Sequence, residues 1–133
     1  MGGHWALWLA RRPELPIVAT VAFYAARGGD FSKSRSAFLC HFAEHDHFFS
    51  AAAARKVSRD LIVARRPSTC HEYPGTGHWF FESDRADAFE PKAAALAWRR
   101  TVAFLAADHA ARRAHTTRAA GPAHAAGGAT RRS

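Results

Sequence analysis

The chain is poor in cysteine, in methionine and in long apolar runs, and it has no acid after Asp108. Its only two cysteines, Cys40 and Cys70, form neither a CxxC pair nor the dense spacing of a disulfide framework. Each falls in an apolar, strand-like run, which predicts buried free thiols. No stretch approaches the roughly 20 apolar residues that a membrane-spanning helix needs. Met1-Gly2-Gly3-His4 lacks the basic opening of a secretory signal, and Arg11-Arg12 interrupts the apolar stretch behind it. A soluble cytoplasmic protein with no membrane association is the expectation.

The length of 133 residues fits one small domain and is short for a complete α/β fold, which often runs to about 200–250 residues. A formal charge of +8 first suggests a nucleic-acid partner. Its distribution argues otherwise. Through Asp108 there are 14 Lys and Arg against 11 Asp and Glu, whereas five arginines and no acid follow. The excess is largely a property of the end of the chain. Such a tail can bind nucleic acid or an anionic surface, but a solvated tail explains it as well, and nucleic-acid binding is not expected. From Arg112 onward no large apolar residue occurs, so residues 112–133 are expected to be a disordered basic tail rich in Ala and Arg.

Between these ends, strands and helices alternate. His4–Arg12 reads as a short helix with Trp5, Trp8 and Leu9 on one face. Pro16–Tyr24 is a continuous apolar, β-branched run, the pattern of a buried parallel strand. Ser36–Phe42 is a second strand and Ser68–Tyr73 a third, the latter followed by a Pro74-Gly75 turn. Ser50 is placed to cap a helix running to about Ala64, with Ala53, Val57 and Leu61 at four-residue steps. A last helix begins near Glu90, Pro91 suiting its first turn and Ala94, Trp98, Val102 and Leu105 forming its stripe. This order predicts an α/β architecture with a parallel sheet of about three strands and flanking helices. In such sheets, chemistry is placed just past the carboxyl ends of strands, and Asp46 and His78 each follow a strand by a few residues.

The segments Phe42-Ala43-Glu44-His45-Asp46-His47-Phe48 and Tyr73-Pro74-Gly75-Thr76-Gly77-His78-Trp79-Phe80 resemble the acid and histidine segments of the dienelactone hydrolase family of α/β-hydrolases. The resemblance covers residues 1–111 as a partial domain, the C-terminal half of such a fold. It implies hydrolysis of a small-molecule ester or lactone by a cysteine or serine nucleophile, an acid and a histidine, with no cofactor. His78 is then the base and Asp46 the acid that holds it, with Glu44 a neighbour that spacing alone does not exclude. Met1-Gly2-Gly3 reads like the second half of the nucleophile elbow, with Gly2 and Gly3 as its close-approach glycines. The nucleophile is therefore expected immediately before residue 1, and the chain as written is expected to be a truncated, inactive fragment. Neither Cys40 nor Cys70 occupies an elbow.

Enzymes of this family hold a substrate carboxylate with an arginine shortly after the histidine. This chain has Phe80-Phe81-Glu82 there, its nearest arginine being Arg85, so a more apolar group would suit Trp79, Phe80 and Phe81 unless they serve the core. Two other classes of function stay open. A non-catalytic interaction module could use the half-fold, with a partner or a second copy covering an exposed sheet edge. A metal-binding protein could use the cluster His41, His45 and His47, although no single local geometry serves all three.

Overall fold

A computed structural model of the protein describes residues 2–119. Its elements are α1 (Gly2–Leu9), β1 (Ala19–Phe23), β2 (Ala37–His45), α2 (Ala51–Val63), β3 (Ser68–Gly77) and α3 (Pro91–Ala119). The strands form one parallel sheet in the order β1-β2-β3. This is the α/β arrangement the alternation of patterns predicts.

β2 is the centre of the sheet because β1 and β3 pair with its two edges, and with both faces covered Phe38 through Ala43 are all buried. Alternate residues serve alternate layers. Phe38, Cys40 and Phe42 join Leu7 and Ala10 at α1 and Val57 and Leu61 of α2 in one cluster. Ala43 joins Tyr73, Phe80 and Ala97 of α3 in the other. Ser50 caps α2 as its sequence position suggests, its side chain accepting the Ala53 N–H at 3.2 Å.

Both outer helices turn a different face to the sheet than their large residues suggest. In α1 the buried side chain is Leu7, whereas Trp5 is half exposed and Arg12 lies over the Trp8 ring. A Cβ on Gly3 would run into the Phe23 carbonyl oxygen and stand 2.9 Å from the Ala25 Cβ, so α1 rests directly on the end of β1 there. Among the described residues nothing lies within 4 Å of a Cβ placed on Gly2. In α3 the buried residues are Ala94, Ala97 and Thr101, while Trp98, Val102 and Leu105 are 57%, 48% and 46% exposed. Small residues let the helix approach the sheet, and a buried histidine fixes its rotation.

That histidine is His41. Its Nδ1 lies 2.7 Å from the Tyr73 hydroxyl and its Nε2 lies 3.0 Å from Thr101 Oγ1, while its ring stacks on Phe23 at 4.4 Å. The three partners come from β3, α3 and β1, so one imidazole ties the sheet to its covering helix. Burial, reinforced by His71 and Arg100 nearby, pulls its pKa down to about 4.

Two boundaries differ from those the sequence suggests. β3 does not stop at Tyr73 but continues through Pro74-Gly75 to Gly77, with a register irregularity opposite Ala43 and His45 and Gly75 at a φ of 72°. α3 continues past Arg112, where composition predicts a disordered tail, as far as Ala119. Alanine-rich sequence favours helix propagation. The Arg112 guanidinium also pairs with Asp108 one turn earlier at 2.7 Å and donates to the Val18 carbonyl at 2.7 Å. The rest of that expected tail, 120–133, lies outside the described residues. No described helix is long and apolar enough to cross a membrane.

The buried imidazole makes stability pH-dependent with a definite sign. Folded His41 stays neutral where the unfolded chain, with the ordinary histidine pKa of 6.5, already binds a proton, so the unfolded state gains protons first. Stability is expected to fall as pH drops from about 6.5 towards 4, by up to roughly 3 kcal/mol from this group. Urea unfolding of the native chain and of His41→Gln across that window checks this. The native chain should show the steeper acid limb.

Candidate active site

The carboxyl ends of β2 and β3 lie side by side. Beyond β2, Asp46 Oδ1 accepts the N–H groups of Phe48 at 2.8 Å and Phe49 at 3.1 Å, an Asx-type turn that locks the carboxylate. Its other oxygen, Oδ2, lies 2.7 Å from His78 Nδ1. Both side chains are nearly buried, at 6% and 8% exposure. Nδ1 donates its proton to Asp46, so in the neutral imidazole Nε2 is the nitrogen that carries the lone pair. No hydrogen bond among the described residues engages Nε2.

Of the two carboxylates that sequence spacing leaves open, the structure brings only Asp46 to His78. Glu44 points elsewhere, accepting the Gly75 N–H at 2.7 Å and pairing with the exposed His45 at 3.2 Å. It braces the turn that delivers the histidine.

Aromatic rings enclose the imidazole. Tyr24, Phe48 and Trp79 approach it with ring centroids 4.8, 4.7 and 4.9 Å away. Two of these, Tyr24 and Trp79, hold the left-handed backbone conformation, with φ of 50° and 72°. Bulky side chains adopt that region only when their surroundings enforce it, and such strain gathers at functional sites. The Tyr24 hydroxyl accepts the Phe81 N–H at 2.7 Å and so stitches the end of β1 to the loop after His78. Burial pushes its pKa well up, so it stays a neutral phenol. Sequence reasoning did not single out Tyr24. The available signal was its position just past β1, in line with Asp46 and His78.

A cavity of about 300 Å³ opens beside His78, lined by His47, Phe48, Gly75, Gly77, Trp79, Asp87, Ala88 and Glu90. Arg85, the nearest arginine after the histidine, lies over the Trp79 ring at 3.9 Å and does not line the cavity. Phe80 is fully buried and serves the core.

The histidine cluster does not assemble. His41 is buried with both ring nitrogens engaged by Tyr73 and Thr101, and His45 faces Glu44 at the surface. Among the described residues no three metal-ligating side chains converge.

Comparison with known proteins decides the family. Residues 1–108 match the model of the dienelactone hydrolase family. The chain belongs to that family. It is also 36% identical over 110 residues to a protein of Azospirillum brasilense assigned as a carboxymethylenebutenolidase, a match covering 79% of this chain and 46% of the relative. Solved structures give the same fold. A Klebsiella pneumoniae protein assigned as a dienelactone hydrolase superposes with a TM-score of 0.66 at 21% identity, over 78% of this chain and 48% of the other. A dienelactone hydrolase-like promiscuous phosphotriesterase from metagenomic libraries gives 0.67 at 17% identity, over 74% and 45%. The chain thus spans about half the length of the relatives it matches.

Removing the Tyr24 hydroxyl leaves the Phe81 N–H without its partner. Tyr24→Phe is expected to cost about 1–3 kcal/mol in denaturant unfolding. A loss no larger than that of a neutral surface substitution would contradict the stitching role.

Proposed function

We infer that this chain supplies the acid and the base, Asp46 and His78, of a nucleophile–histidine–acid hydrolase acting on small-molecule esters or lactones. The observation that carries this reading is the 2.7 Å contact between His78 Nδ1 and Asp46 Oδ2, closed off from water and leaving Nε2 as the free base. The carboxylate fixes the tautomer and stabilises the imidazolium that forms when Nε2 takes the nucleophile's proton. The imidazolium then protonates the leaving alcohol, and afterwards Nε2 activates water to hydrolyse the acyl-enzyme.

The nucleophile, a serine or cysteine, belongs on the turn leading into α1. Gly3 lies against Phe23 and Ala25, and Tyr24 between them touches the His78 ring, so the entry to α1 is one packed layer from the base. The reading therefore needs chain N-terminal to α1 for the nucleophile and for one oxyanion donor. The cavity wall sets the carboxylates of Asp87 and Glu90 beside Phe48 and Trp79, and with Arg85 withdrawn onto Trp79 it disfavours a carboxylate-bearing substrate group.

A non-catalytic interaction module is the competing reading. Its support is the free outer edge of β1, which pairs with β2 alone among the described residues.

One experiment separates the two. The chain is fused in frame behind the N-terminal half of the Azospirillum relative, and hydrolysis of p-nitrophenyl acetate is followed. Turnover is expected, and His78→Ala or Asp46→Asn should lower kcat by about 10⁴-fold. A folded fusion without activity, or near-normal turnover in either variant, would overturn the assignment in favour of the interaction module.

A further inference from the structure

Cys40 and Cys70 lie on neighbouring strands as direct Cα partners in the β2–β3 ladder. Residues opposite each other on parallel strands point to the same face, and both side chains enter the same cluster under α2. Strand spacing of about 4.8 Å falls inside the range of about 4.4–6.8 Å that Cα atoms span in a disulfide. Both cysteines are free, and they differ in access. Cys40 is fully buried, whereas Cys70 is half-buried on β3, which pairs only with β2 among the described residues.

We propose that Cys40 and Cys70 form a reversible dithiol modification site, in which Cys70 captures a low-molecular-weight disulfide and Cys40 resolves it to an intramolecular bond. The assignment goes beyond the hydrolase reading and does not depend on it. In the first step the Cys70 thiolate attacks one sulfur of oxidised glutathione. The reagent's S–S bond breaks, one glutathione thiolate leaves, and a mixed disulfide forms on Cys70. In the second step Cys40 gives up its proton and attacks Cys70 Sγ, releasing the second glutathione thiolate. The two cysteines lose two electrons to the reagent, and their two protons end on the two reduced glutathiones.

The surroundings assign the order of attack. Contact with Cys40 and the Ser58 hydroxyl of α2 hold the Cys70 thiol below its ordinary range despite its burial, and the contact with Cys70 together with burial pushes Cys40 up. The more exposed sulfur is thus also the better thiolate, as the capturing position requires.

The full chain, kept native, is incubated with oxidised glutathione and then examined by intact mass and by peptide mapping without reduction. The expected product has lost two hydrogens, links the Cys40 and Cys70 peptides, and returns to the starting mass with dithiothreitol. Cys40→Ala should stop at a glutathione adduct on Cys70, and Cys70→Ala should stay unmodified until urea is added. A native chain that remains unmodified, stops at the adduct or dimerises through sulfur would overturn the proposal. Should a variant fail to fold, the linked peptide from the native chain decides.

Discussion

The register between β2 and β3 is the constraint from which the rest of the structure follows. Phe38 to Ala43 pair in step with Ser68 to Tyr73, and then the ladder shifts so that His45 meets Gly77. The in-step part seals the core with β2 buried on both faces. The shifted part uses up the extra residues of Tyr73-Pro74-Gly75-Thr76-Gly77, turning the end of β3 so that His78 arrives beside Asp46. Glu44 takes the Gly75 N–H and Asp46 takes the imidazole, a division of labour set by that single slip.

Two histidines on this pair of strands show how surroundings decide chemistry. His41 is sealed among Phe23, Tyr73 and Thr101, both nitrogens occupied, and burial holds it neutral as a structural pin. His78 has one nitrogen committed to a carboxylate and the other left free at a cavity wall. The same side chain is a brace in one layer and, in the other, keeps one nitrogen open at a cavity wall, as the proposed base requires. Neither role is a property of histidine alone.

Much of this was legible in the sequence. Apolar β-branched runs mark the three strands, Ser50 marks the start of α2, and Asp46 and His78 stand where strand ends place reactive groups. The acid and histidine segments carry a family resemblance that the comparisons uphold. What failed is the orientation of α1 and α3. Reading apolar stripes weights Trp5, Trp98, Val102 and Leu105 by size, yet contact distance is set by the small residues Gly3, Ala94 and Ala97. The pin that fixes α3, His41 to Thr101, joins residues 60 apart in sequence, and no local pattern records it. Spacing alone left Glu44 beside Asp46, because the feature that parts them, a ladder irregularity opposite a Pro-Gly pair, reads in the sequence as a plain turn.

The Val18 carbonyl accepts two hydrogen bonds, one from the Ala37 N–H at 3.0 Å and one from the Arg112 guanidinium at 2.7 Å. The first belongs to the opening of the sheet and the second to the far end of the last helix, 94 residues away. On the ribosome these two arrive at very different times. β1 and β2 can meet as soon as both have emerged, since chains assemble from the N-terminal side during synthesis. Until Arg112 follows, the mouth of β1 is held by β2 alone and the second lone pair of Val18 is left to water. The clasp that closes the mouth of β1 therefore waits until every strand of the described sheet has been made.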